Sequence, residues 1–380
     1  MEEMKCRHCG ADLSAGSRFC ANCGQPVVQE APMRTYDAIS PSVEIPAVNV
    51  RYMTKEEYRT VCQNEEYLKT AKRSEELLDA ALADFESLYH DVGFMWHILS
   101  GALYKLNGDE NSKRRNLFAA ASLFSRFVLS GNFIRAWNNR GFPDSPIVNW
   151  SIIDCMMNLP ILYFASDVIG DDRFKQIAIA HANMTLEQHI RPDGSVNHIV
   201  EHNRETGEVA KIHGGQGLAP DSSWSRGHAW AIYGFVISYI HTGDVRYLDA
   251  SKKVANYFIA NVCDDWIPRI DFRSPEEPVY YDTPAATCAA CGMLELARIL
   301  PEYEGGMYAN AAINMLKAVA ERFGDFDPDT DAMITHGSVR YPVPGVLDEK
   351  KAGVHIPIIY TEYYFVEALL KLRGSEFFPW

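Results

Sequence analysis

The chain has 380 residues, 47% of them hydrophobic, enough for one large core or two modest ones. Its 36 basic and 50 acidic residues give a formal charge of −14, which disfavours nucleic acid and anionic membranes, because both select positive charge. The opening "MEEMKCRHCG" lacks the apolar stretch of a signal peptide, and no window reaches the roughly 18 apolar residues of a membrane span; a cytoplasmic protein with reduced cysteines is expected.

In chain order, Cys6, Cys9, Cys20 and Cys23 come first, as two C-x-x-C pairs each followed by glycine (Gly10, Gly24). Two such knuckles supply four thiolates for a closed tetrahedral site, which predicts a zinc ribbon over 1–25 with structural Zn2+. A segment this short has no core of its own, so its folding would depend on the metal. Residues 26–50 hold four prolines and no helical period, and are expected to be a linker before a large domain at 51–380.

From about residue 54 the apolar spacing is helical, in segments that run from 56–88 to 358–372 and include 114–130, 147–168 and 224–241. Gly-Asp recurs between helices at Gly108, Gly170 and Gly243. Repeated hairpins suggest an open α-solenoid or a closed α/α toroid, and the long insertion 191–223 favours the toroid. Within it "SVNHIVEHN" and "EVAKI" flank "RETG" as a β-hairpin, followed by a glycine-rich turn carrying Gln216. Polar loops on a rigid scaffold are where sites are built.

Asp154, in "IVNWSIIDCMMNLPILYF", falls on the apolar face of the segment read as a helix, with Pro160 as a kink beyond it. No Lys or Arg lies between Arg140 and Arg173 to neutralise it. Burial without a cation raises a carboxyl pKa, as a general acid near neutral pH requires, and Asn158 stands where it could orient the group. A buried aspartate satisfied by helix ends or water is the competing reading. Asp91, in "YHDVGFMW", reads either as a helix N-cap or as the partner of Asp154 in a carboxylate pair.

In "PDSSWSRGHAWAIYGF", Asp221 or Ser222 is the expected N-cap of a helix whose first turns hold Trp224, Arg226, His228 and Trp230. Indoles stack on sugar rings and an arginine grips a carboxylate with two bonds, so the set suits an acidic sugar; a buried structural helix is the alternative. Cys288 and Cys291 form a further C-x-x-C, but in an alanine-rich helix that favours packing over metal or redox chemistry.

With these residues in hand, "IIDCMMNLPILYFAS", "DSSWSRGHAWAIYGF", "YHDVGFMW", "IRAWN" and "YYFVEALLKL" resemble the unsaturated glucuronyl hydrolases, glycoside hydrolase family 88, over about residues 55–375. The resemblance implies an all-α (α/α)6 barrel and a hydrolase that removes terminal 4,5-unsaturated uronic acids from oligosaccharides left by lyases. It implies Asp154 as acid/base, with Asp91 assisting. It also implies Trp137, Trp224, Trp230, Arg226, His198, Gln216 and, at the same wall, His228 as substrate-binding residues, with no cofactor for catalysis. His228 stands where the family commonly has glutamine, and "TEYY" (Thr361–Tyr364) where it commonly has "GDYY". A related reading is an unsaturated rhamnogalacturonyl hydrolase acting on pectin fragments. A reading of another class is an inactive helical scaffold whose ribbon recruits a protein partner.

Overall fold

A computed structural model describes residues 65–138, 146–262, 264–327, 329–343 and 345–380, with Ala11 and Asn22 besides. The ribbon ligands Cys6, Cys9, Cys20 and Cys23, the linker, and the expected boundaries near 25 and 50 lie outside the described residues.

Helix α1 (Glu65–Ala83) is followed by a π-helical stretch, Gly93–Gly101, that runs into α2 (Ala102–Asn107). Then come α3 (Glu110–Phe124), α4 (Pro160–Ile169), α5 (Arg173–Gln188), α6 (Ser225–Thr242) and α7 (Val245–Asn261). The last are α8 (Thr283–Ile299), α9 (Glu302–Phe323), the short α10 (Glu349–Ala352) and α11 (Ile359–Leu372). The Gly-Asp repeat explains the hairpins. Gly108, Gly170 and Gly243 close α2, α4 and α6 in the left-handed conformation, at φ 73°, 68° and 72°. Asp109 and Asp244 then cap α3 and α7, accepting from the N–H groups of Asn111, Ser112 and Arg246. One dipeptide stops a helix and starts the next.

The hairpins form two layers. Every residue from Ser225 to Ser238 in α6 and from Thr283 to Leu296 in α8 is buried, so these helices are covered on all sides and belong to the inner layer. Helices α7 and α9 bury one stripe each, against α6 and α8 respectively. Helix α8 also packs on α11. Trp380 fills the space between Tyr233 of α6 and Tyr364 of α11, and its indole N–H donates to Glu367. Cys288 and Cys291 are free thiols buried in α8, as expected of packing residues. Among the described residues no helix is long and apolar enough to cross a membrane.

The segment expected as a helix over 147–168 is not one helix. It is a 3-10 turn (Pro146–Asn149), strand β3 (Trp150–Ile152), a second 3-10 turn (Ile153–Met157), and then α4. Pro160 opens α4 in its first turn instead of kinking a longer helix, the position where its missing N–H costs nothing. The expected helix over 114–130 likewise ends at Phe124, before the strand pair β1 (Phe127–Val128) and β2 (Phe133–Ile134). Strand β3 pairs antiparallel with β4 (Ile199–His202), which pairs with β5 (Val209–His213), so the hairpin read in the insertion forms and recruits a third strand. Asp154 thus stands at the C-terminal end of a strand, directly beneath the inserted loop.

Candidate active site

Asp91 and Asp154 line one cavity of about 120 Å3, together with His90, Phe94, Trp137, Ile152, His198, Gln216, Arg226, Trp230 and Tyr360. The two carboxylates are presented by different devices. Asp91 precedes the π-helical stretch, where it turns its side chain into the cavity instead of capping the helix. Asn158 holds it there: the amide donates to Asp91 Oδ1 at 3.4 Å and to the Asp154 carbonyl at 3.3 Å, and its own oxygen accepts from Phe94 N–H at 2.9 Å. This contact requires Gly93, because a Cβ there would lie 2.6 Å from Cα and Oδ1 of Asn158. Asn158 therefore orients Asp91, not the Asp154 side chain that the sequence suggested.

Asp154 is positioned by the 3-10 turn after β3, and its Oδ2 has no hydrogen-bond partner among the described residues. Among the described residues the nearest cation-forming group is His198, whose Nε2 lies 3.6 Å from that oxygen. His198 Nδ1 accepts from Gln216 N–H at 3.0 Å, which leaves the ring hydrogen on Nε2, facing Asp154. The same Nδ1 lies 3.1 Å from the Gly214 carbonyl. Gln216 is fixed in turn, its amide donating to the Val339 carbonyl at 2.6 Å.

The carboxyls are shifted in opposite directions. Burial pushes Asp91 above the ordinary carboxyl value; the nearby Asp154 charge adds to this, and His90 and Asn158 oppose it. Burial also pushes Asp154 upward, but the close approach of His198, helped by His90 and Arg226, outweighs it and leaves Asp154 below the ordinary value. Asp154 is thus lowered, not raised as the sequence suggested. Its counter-charge comes from the inserted loop and from α6, far along the chain.

Arg226 also departs from expectation. It lines the cavity, but its guanidinium is held by Asp282 at 2.9 and 3.1 Å and by the carbonyls of Ser338 (2.8 Å) and Val339 (2.9 Å). With these bonds made, Arg226 contributes positive potential to the cavity and is not free to clasp a carboxylate with both nitrogens. Burial pushes Asp282 up to about 6, against the pull of Arg226.

Trp137 and Trp230 reach the cavity; Trp224 and His228 do not line it. Trp224 is 2% exposed and stands behind the wall, its ring 4.2 Å from that of His198 and 4.9 Å from the Arg226 guanidinium. His228 is fully buried between Tyr257 and Phe272. The reason is the start of α6: Trp224, not Asp221 or Ser222, occupies the cap position. Asp271 ties the preceding loop down by accepting from Leu218 N–H, Ser222 Oγ and Ser223 N–H. Residues 224 and 228 thus face the packed side of the helix, and 226 and 230 face the cavity.

Sequence reasoning missed His90, Phe94, Ile152 and Tyr360. Phe94, Trp230 and Tyr360 form an aromatic wall with ring centroids 5.2 to 6.3 Å apart. Phe94 is the aromatic of "HDVGF", one helical turn beyond Asp91, and that spacing was the available signal. Tyr360 lies in the first turn of α11, beside the departing "TEYY".

Residues 5–27 match the zinc-ribbon domain family. Over 315 residues, covering 82% of this chain and 81% of the relative, the sequence is 32% identical to the unsaturated glucuronyl hydrolase of Bacillus sp. strain GL1. The chain belongs to the unsaturated glucuronyl hydrolase family. The crystal structure of unsaturated glucuronyl hydrolase from Bacillus sp. GL1, described as responsible for the degradation of glycosaminoglycan, superposes with TM-score 0.74 at 31% identity, over 82% of this chain and 81% of that one. A third match is an aspartate-to-asparagine variant of unsaturated glucuronyl hydrolase from Streptococcus agalactiae complexed with dGlcA-GalNAc6S (TM-score 0.68, 25% identity, covering 84% and 78%). The helical hairpins are those of the (α/α)6 barrel of these unsaturated glucuronyl hydrolases, and the protein is a glycoside hydrolase of that family.

Proposed function

We propose that this hydrolase removes the terminal 4,5-unsaturated uronic acid from glycosaminoglycan-type oligosaccharides, such as unsaturated chondroitin disaccharides. The observation that carries the reading is one small cavity in which two carboxylates with opposed pKa shifts face an aromatic wall and a partly cationic one. A glycosidase that attacked the anomeric carbon would use its carboxyl pair across the glycosidic bond. Here the reaction is protonation of C4 of the vinyl ether and addition of water at C5. The resulting hemiketal opens, and the C1 hemiacetal then releases the aglycone, with one water consumed.

Asp154 is assigned as acid/base and Asp91 as its partner. In the free site Asp154 is ionised beside His198. An anionic sugar entering next to it disfavours that charge, so the substrate brings a proton onto Asp154 as it binds. Once C4 has taken this proton, the carboxylate can accept one from the attacking water. Trp137, Trp230 and the ring of Phe94 stack on the sugar. Gln216 and His198 border its carboxylate, and Arg226 lends charge from its fixed position. Loss of the ultraviolet absorbance of the conjugated double bond measures turnover directly. Wild-type inactivity on unsaturated chondroitin, hyaluronan and heparin disaccharides alike would defeat the reading.

Cys6, Cys9, Cys20 and Cys23 suit a structural zinc by donor type and spacing, and all four fall inside the zinc-ribbon match. The ribbon is assigned as an accessory, possessing no step in hydrolysis and available to a protein partner. Metal analysis should return one zinc per chain, lost when the four cysteines become serine. Removal of residues 1–50 should leave hydrolysis undiminished.

A further inference from the structure

His228 is fully buried, and both ring nitrogens are engaged. Val196 N–H donates to Nε2 at 3.1 Å, which places the ring hydrogen on Nδ1; that hydrogen is given to the Trp224 carbonyl at 2.8 Å. The ring is stacked on Tyr257, with centroids 5.1 Å apart and planes at 16°, and meets the edge of Phe272 at 5.4 Å. Val196 stands two residues before His198 in the inserted loop. Trp224 packs its indole on the His198 ring, 4.2 Å away. One side chain therefore grips the backbone on both sides of His198: the segment that carries it and the residue that backs it.

We infer that His228 is a positioning residue, which ties the inserted loop to the first turn of α6 and so fixes where His198 stands against Asp154. The inference rests on the proposed role of Asp154. The tie has a fixed polarity, because burial pushes His228 down to about 3 and keeps it neutral. The charged groups that face it are Arg191, Asp193 and Arg273. Protonation of Nε2 would set a ring N–H against the Val196 N–H and break the tie, so a neutral ring is the working form. What the position demands is one donor and one acceptor at this separation. A glutamine amide offers both, its nitrogen donating to the Trp224 carbonyl and its oxygen accepting from Val196 N–H.

The test compares His228→Leu and His228→Gln with the wild type on unsaturated chondroitin disaccharide, following absorbance over a pH series. The leucine variant should lose about tenfold in kcat with a smaller change in KM, since a displaced group costs the transition state most. Its basic pH limb should move upward. Asp154 faces His198, His90, Arg226 and Asp91, and when His198 draws back Asp154 keeps its proton to higher pH. The glutamine variant should restore both the rate and the limb. A leucine variant with the wild-type rate and limb, or a glutamine variant as impaired as leucine, overturns the inference. Should leucine yield no folded protein, His228→Asn replaces it, because its amide is too short to reach both partners, and the same outcomes apply. A wild-type enzyme that leaves the double bond intact defeats the functional reading instead.

Discussion

The two carboxylates share a cavity but are supported by different parts of the molecule. Asp91 belongs to the helical scaffold: the π-helical stretch presents it and Asn158 clamps it. Asp154 sits at the edge of the small sheet, with a loop histidine, His198, as its counter-charge. Burial acts upward on both, yet Asp91 ends high and Asp154 low. Each acid has one histidine close by, His90 at 3.5 Å from Asp91 and His198 at 3.6 Å from Asp154. The outcome therefore turns on the further charges: the Asp154 carboxylate adds to the rise of Asp91, whereas His90 and Arg226 add to the fall of Asp154. The scaffold places the acids, and the insertion sets the ionisation of one of them.

Substitutions can break this contrast one side at a time. Asp154→Asn should have the largest effect, about a 10³-fold fall in kcat by the absorbance assay, because no other group in the cavity is assigned to hand a proton to C4. Wild-type turnover in that variant would remove Asp154 from the mechanism. Asp91→Asn keeps the shape and the Asn158 contact but deletes the partner charge, and a fall of about 10²-fold is expected.

His198→Ala tests the low side of the contrast. With the histidine gone, burial prevails and Asp154 rises, so its protonated form survives to higher pH. The basic limb of kcat should move upward while the maximum falls by about 30-fold. An unmoved limb would show that His198 does not control Asp154. The smallest effect is expected on the scaffold side, from Asn158→Ala. That change leaves Phe94 N–H without its acceptor and frees Asp91, costing about 2 kcal/mol of stability in a denaturant melt and about tenfold in kcat. A variant as stable and active as wild type would mean that Asp91 needs no clamp.

The scaffold was the more legible half. Gly-Asp showed the hairpins because Gly108, Gly170 and Gly243 each supply a left-handed stop and Asp109 and Asp244 add a cap, and both devices work locally. The strand at Trp150–Ile152 was not legible, because a short apolar run reads as helix or strand until its partners are known, and those lie in the insertion. The same distance hid the ionisation of Asp154, because its counter-charge, His198, lies far along the sequence in the insertion. Trp224 and Arg226 were singled out as site residues for the right composition. Their separation into a hidden wall and a cavity wall needed the exact start of α6, which Asp271 sets from another loop.

The contact between Gly93 and Asn158 constrains how the site can vary. The backbone of the π-helical stretch lies so close to Asn158 that any side chain at 93 would occupy the amide's place. Shrinking residue 158 alone does not make room, since Cα of that residue is equally near. Position 93 is therefore held to glycine whatever stands at 158: a library randomised at 158 needs a glycine background at 93, and no replacement at 93 has a compensating partner at 158. For lineages and for laboratory selection alike, this pair is a fixed joint around which new aglycone preferences must be found elsewhere in the cavity wall.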